Sequence, residues 1–343
     1  MKKITLLAGL LMVQIMLAFV LLFGGSKLDS HSGIQKLLEF DRTQVNAIQI
    51  TDGDGKTVRL RYNGDDWFAE EQFPADSIRV DRLLNQLSEL EHGLAVADSA
   101  KAAKRFEVDK ENFQRRLQLL QDEQTVIDFY LGTGAGARRS HIRLAGDKSV
   151  FSTTIGSFDL PTEVADWQIK DLLRIETDQI HSIESKDLTV QKQAPQSTGD
   201  TEKSGTTVSL DEEPEWIVEG LAEEETFKTD MFESLLRNLA NLRYSRAFKG
   251  SVDNQNLKAE VTVKYDETSR SYAFYKKAEE NEFQLKVSDY EHIFVLPEYT
   301  GSQIVENLDR EKLVEIPEVE VEETTETVED AAASTEEFLL ENN

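Results

Sequence analysis

The feature that most limits how this chain can fold is that part of it is written twice. The stretch IQKLLEFDRTQVNAIQIT at residues 34–51 returns, loosely, as IKDLLRIETDQIHSIESK at 169–186. With Ile34 set against Ile169, Leu37 meets Leu172, Leu38 meets Leu173, Phe40 meets Ile175, Val45 meets Ile180 and Ile48 meets Ile183. Asp41 meets Glu176 and Gln44 meets Gln179. His181 falls opposite Asn46 and Asp171 opposite Lys36, so the groups with chemistry are those that are not repeated. The apolar spacing passes from helical to period two, which predicts a short helix turning into a strand.

The correspondence continues downstream. GDDWFAEE around Trp67 parallels EPEWIVEG around Trp216. Leu83, Leu84, Leu87 and Leu90 are mirrored by Leu235, Leu236, Leu239 and Leu242, each set forming one buried stripe of an amphipathic helix. Asp76 or Ser77, and Thr229 or Asp230, are the N-caps expected for these helices. HIRLAGDKSVF at 141–151 aligns without a gap on QLKVSDYEHIF at 284–294, and both alternate like the arms of a hairpin. A weaker third echo, SQIVENLDREKLVEI at 302–316, closes the second copy.

The fold class expected is therefore α+β: two tandem related units, 34–166 and 167–316, with mostly antiparallel sheets and helices on one face. The copies differ chiefly by an insertion, 193–215, which is polar and rich in Ser, Thr and Gly and is expected to be disordered. From Glu315 to Asn343 there are eleven carboxylates and no Lys or Arg, so an acidic disordered tail is expected over 317–343. At 343 residues, two domains with ordinary cores are well within reach.

Residues 1–30 have a different character. Lys2 and Lys3 precede twenty uncharged residues, Ile4 to Phe23, long enough as a helix to span about 30 Å of hydrocarbon. The positive-inside rule places the lysines in the cytoplasm and the body outside, which predicts a single-pass anchor in a bacterial inner membrane. A cleavable leader is the alternative, since Gly24, Gly25 and Ser26 are small enough for processing.

Composition removes several functions. A net charge of −27 disfavours nucleic acid, whose phosphates need Lys and Arg to displace counterions. The absence of cysteine excludes disulfides, thiolate metal sites and a cysteine nucleophile. The five histidines, His31, His92, His141, His181 and His292, stand singly without metal-ligand spacing, and surface placement is expected for them. No G-x-S-x-G or S-x-x-K motif is present. Carboxylates are too abundant for any pair to stand out as a glycosidase-like site. No cofactor or metal is expected.

One loop carries a candidate site. In LGTGAGARRSH at 131–141, Gly134 and Gly136 with Arg138 and Arg139 could cradle an anion or meet a partner. The loop joins two strands, however, whereas phosphate-binding glycine loops lead from strand to helix, so a hairpin loop is the plainer reading. Trp67 and Trp216 are candidates for carbohydrate stacking, but their recurrence favours core packing. Trp167 precedes the closest match and is expected to pack the two units together.

The order of these features resembles a bacterial family of unknown function numbered 4340. The resembling parts are the apolar span Ile4–Phe23, Trp67, the leucine helix Leu83–Leu90, the strand pair Leu131–Leu144, and the link from Trp167 to Ile175. Members are often encoded beside ABC-transporter subunits like those of gliding-motility systems. The resemblance implies an auxiliary envelope component and supplies no catalytic residues. The function expected is that of a non-enzymatic, membrane-anchored extracytoplasmic accessory protein whose partner is an ABC-type permease or an envelope protein. The alternative is a glycan- or peptide-binding module using the cleft between the units.

Overall fold

The structure, a computed structural model, describes residues 34–192, 216–277 and 280–316, together with Gln14. The anchor segment, the 193–215 insertion and the 317–343 tail lie outside the described residues. Within them, no helix is long and apolar enough to cross a membrane.

Alternation in the sequence builds the first sheet. Its strands are β1 (Ala47–Asp52), β2 (Thr57–Tyr62), β3 (Trp67–Phe68), β4 (Arg115–Gln121), β5 (Gln124–Gly134), β6 (Ser140–Leu144) and β7 (Phe151–Thr153). They lie in the order β7-β6-β5-β4-β1-β2-β3, with every neighbour antiparallel. The register sets Ile48 beside Leu60 and Leu119, and Ile50 beside Val58 and Leu117, so one face is apolar. Helix α1 (Ser77–Ser88) covers that face with Val80, Leu83, Leu84 and Leu87, all buried. Asp76 caps the helix by accepting from the Arg79 N–H at 3.0 Å, as expected. A short helix α2 (Ala100–Arg105) and the small ladder Val108–Asp109 with Asn112–Phe113 pack with Tyr130 and Val150 in a separate small core.

The second sheet follows the same plan. Its strands are β8 (Ile180–Ser185), β9 (Thr189–Lys192), β10 (Trp216–Glu219), β11 (Arg246–Lys249), β12 (Leu257–Tyr265), β13 (Thr268–Tyr275), β14 (Glu282–Val287) and β15 (His292–Pro297). The order is β10-β9-β8-β12-β13-β14-β15-β11, again wholly antiparallel. Helix α3 (Thr229–Ala240) buries Phe232, Leu235, Leu236 and Leu239 against it, and α4 (Glu298–Asn307) and α5 (Arg310–Leu313) close the end. The α3 N-cap is Lys228, which makes no side-chain capping bond, so neither Thr229 nor Asp230 takes the expected role. The architecture is α+β and largely β.

The short helix expected before the first strand of each sheet does not form. A one-turn 3-10 helix stands there instead, Arg42–Gln44 in one unit and Thr177–Gln179 in the other. The residues before it are drawn into tertiary backbone bonds, from Leu37 N–H to the Leu90 carbonyl at 2.8 Å and from Ile175 N–H to the Ala240 carbonyl at 2.9 Å. Backbone groups satisfied in this way are not available to a helix.

The two units are stitched together at one seam. Beyond β3 the chain turns back so that Pro74 bridges Phe68 and Ala75 bridges Gln168. The Gln168 side chain then bonds Ala247 on β11, the edge strand of the second sheet. Phe73, although it belongs to the first unit by sequence, is buried in the second core against Tyr244, His292 and Phe294. Trp167 lies in the first core with no exposure, its Nε1–H donating to the Pro161 carbonyl at 3.0 Å and the Arg79 guanidinium 5.1 Å above its ring. Lys170 also crosses the seam, donating to the carbonyls of Ala165 and Ser245. Burial of its ammonium holds its pKa below the ordinary lysine value.

Candidate functional site

The glycine loop closes the β5–β6 hairpin. Ala135 N–H bonds the Arg139 carbonyl at 2.8 Å, and Gly136 and Arg138 take left-handed backbone angles. Arg139 is engaged locally, its Nε–H donating to Ser152 Oγ at 2.7 Å and its terminal nitrogen to the Ser152 carbonyl. Arg138 and Gly134 are exposed. Of the four residues, Arg138 alone presents a charge with no protein partner among the described residues.

The hairpin's most constrained glycine is Gly132. A Cβ there would sit 2.0 Å from the Phe106 carbonyl oxygen and 2.4 Å from that of Glu107. This close approach lets Phe106 lie on the outer face of the first sheet, where it stacks on His141 at 4.0 Å and 19°. His141 is consequently buried, with Nδ1 2.9 Å from the Thr133 carbonyl oxygen. It is not the surface histidine that its isolation in sequence predicts. His181 is exposed, and His31 lies outside the described residues. Trp67 is buried, and Trp216 packs its ring edge-on against Phe232.

At the seam, Lys56 and Glu163 from one unit and Arg246 and Phe248 from the other line a depression of about 250 Å³. Its charged groups are engaged with protein: Lys56 pairs with Glu163, and Arg246 forks onto Glu282 at 2.9 and 2.8 Å.

A larger cleft opens on the outer side of β2. In TVRLRY, Val58 and Leu60 point into the core, and strand alternation sends Arg59 and Arg61 to the opposite face. The chain runs on through β3 into the one-turn helix Glu70–Gln72, which returns beside those arginines and encloses about 570 Å³. Tyr62, Asn63, Phe68 and Ala69 complete the lining with Glu70 and Gln72. Gln72 has φ 61°, a left-handed conformation that is uncommon for a residue other than glycine.

The electrostatics of this cleft are uneven. Arg59 donates a terminal N–H to Glu123 at 2.6 Å, and this hydrogen bond holds the Glu123 carboxyl below its ordinary pKa. Arg59 Nε is buried and meets no acceptor among the described residues. Arg61 is exposed, and its charge adds to that of Arg59 in holding the Glu123 carboxyl down. Among the described residues, no group of three or more metal-ligating side chains is placed to hold an ion.

Sequence reasoning passed over this cleft. The R-x-R alternation inside β2 was the available signal, but the wall formed by Glu70–Gln72 depends on a turn that no local pattern announces.

A family model described as Domain of unknown function (DUF4340) matches residues 67–264. No curated protein and no solved structure matches. The matched stretch runs from β3 into β12, so it crosses the seam at Gln168 and takes in parts of both sheets. It covers more than half of the sequence, and the chain belongs to the DUF4340 family.

Proposed function

We propose that this chain is a non-catalytic accessory protein, held at a membrane by residues 4–23, whose extracytoplasmic body serves an ABC-type transporter or envelope assembly. The observation that carries the reading is the seam. Gln168, Phe73 and Lys170 each cross from one unit to the other, which suits a body that holds a partner at a fixed position. A tether would raise the local concentration of such a body beside its partner. The matching strand order of the two sheets further supports tandem duplication of one unit, with β11 and the 193–215 insertion as additions to the second. Purification of the full chain in mild detergent after crosslinking should recover permease subunits of an ABC transporter. Recovery of the chain without them would count strongly against the proposal.

A second reading, recognition of a glycan or peptide between the units, draws on the depression that both units line at the seam. Its arginine and lysine are engaged by carboxylates, so a ligand there would have to compete for them. Thermal stabilisation by short oligosaccharides or peptides, abolished by Phe248→Ala, would favour it over a pure scaffold.

A further inference from the structure

The cleft beside β2 is an unusual place on a molecule of net charge −27, because two guanidinium groups share one of its walls. Their spacing follows from the strand: residues i and i+2 point to the same face, about 7 Å apart. Arg59 is anchored from behind by Glu123, which orients the guanidinium and leaves Nε without an acceptor among the described residues. A guanidinium already held in place loses little freedom when a ligand acceptor meets it. Arg61, exposed on the same face, supplies a second positive charge, part of whose field falls on Glu123. The remaining wall is part apolar, from the Phe68 ring, which is set opposite Arg61 across the β2–β3 ladder, and the Ala69 methyl. At about 570 Å³ the cleft falls in the size range of small-molecule sites.

We infer that this cleft binds a small organic carboxylate whose acid group meets Arg59 and Arg61 and whose ring or alkyl part rests on Phe68. A singly charged acid fits better than a phosphate dianion, because Glu70 also lines the cleft and would repel the second charge. Gln72, held in its left-handed conformation at the end of the one-turn helix, keeps that wall beside the arginines. The site is separate from the seam and does not depend on the accessory role proposed above.

The test is a titration of the full chain with benzoate, followed by calorimetry or by NMR of the arginine side-chain N–H groups. Benzyl alcohol, of the same shape without the charge, and inorganic phosphate are the comparison probes. Saturable benzoate binding is expected in the wild type, with weak or absent binding of benzyl alcohol. Arg61→Gln, at an exposed position, should weaken benzoate by about tenfold or more, the loss of one charge-assisted hydrogen bond. Lys286→Gln, at an exposed position on β14 outside the cleft, should leave the affinity unchanged. Absence of saturable benzoate binding would overturn the inference, as would equal affinity in Arg61→Gln. Phosphate binding as tight as benzoate would also overturn it, since that behaviour belongs to an unselective anion site.

Discussion

The carboxamide of Gln168 donates to the Ala247 carbonyl at 2.7 Å and accepts from the Ala247 N–H at 2.8 Å. One side chain thus satisfies both backbone groups of a residue on the edge strand β11, in the way a neighbouring strand would. The edge is thereby blocked against pairing with another chain, a hazard that exposed strand edges carry. Because the Gln168 backbone also bridges Ala75, the same residue joins the first unit to the second.

Gln168→Leu should therefore loosen the seam. It keeps the bulk and leaves two buried backbone groups of Ala247 unmet, each costing about 1–3 kcal/mol. Urea denaturation should show this loss, and hydrogen exchange at the Ala247 amide should accelerate. Unchanged exchange at Ala247 would mean that the pairing does not persist in solution.

Phe73→Ala tests the exchange of core residues between the units. Truncating a buried phenylalanine typically costs about 3–5 kcal/mol. The diagnostic readout is where the damage falls. NMR shifts of Tyr244 and Phe294, which meet Phe73 at ring-centroid distances of 6.1 Å each, should move more than those of Leu83 and Leu87 in the first core. The reverse pattern would assign Phe73 to the unit that encodes it.

Much of this architecture was legible because it rests on local periodicity. The leucine stripes gave both helices, and the alternation in 141–151 and 284–294 gave the strands around those turns. What escaped depends on contacts far along the chain. Nothing in QFPADS separates Phe73 from an ordinary first-core residue, and its neighbours Tyr244, His292 and Phe294 are remote in sequence. Leu37 and Leu38 are buried as their spacing implied, yet the helix they suggested lost to backbone bonds with the Leu90 region. His141 looked solitary because the group that covers it, Phe106, arrives through the clearance at Gly132. The arginine face of β2 was readable from alternation alone, but not the turn that makes it a cleft.

Gly132→Ala should be costly, because the added methyl would meet backbone oxygens of Phe106 and Glu107 that have no flexible end to move. Overpacking of this kind typically costs about 1–3 kcal/mol. Gly146→Ala is the control: nothing lies within 4 Å of its Cβ position, and its effect should stay within about 0.5 kcal/mol. Thermal unfolding of the pair, with the His141 ring resonances as a local probe, checks both expectations. Equal stability of the two variants would show that the 106–107 segment does not press on the sheet.

The Arg59–Glu123 contact predicts a pH dependence with a definite sign. The Arg59 hydrogen bond to Glu123, followed by its charge, holds the carboxyl below the ordinary value of 4.5. A folded pKa below the unfolded one means that the interaction is fully present at neutral pH and is lost only as pH falls below 4.5 through the folded value. Carbon-detected NMR titration of the Glu123 carboxyl should thus give a midpoint below 4.5, and Arg59→Gln should move it up towards that value. Salt should narrow the difference, because Glu123 is exposed and its charge is screened. A midpoint at the ordinary value in both proteins would remove Glu123 as the group that orients Arg59.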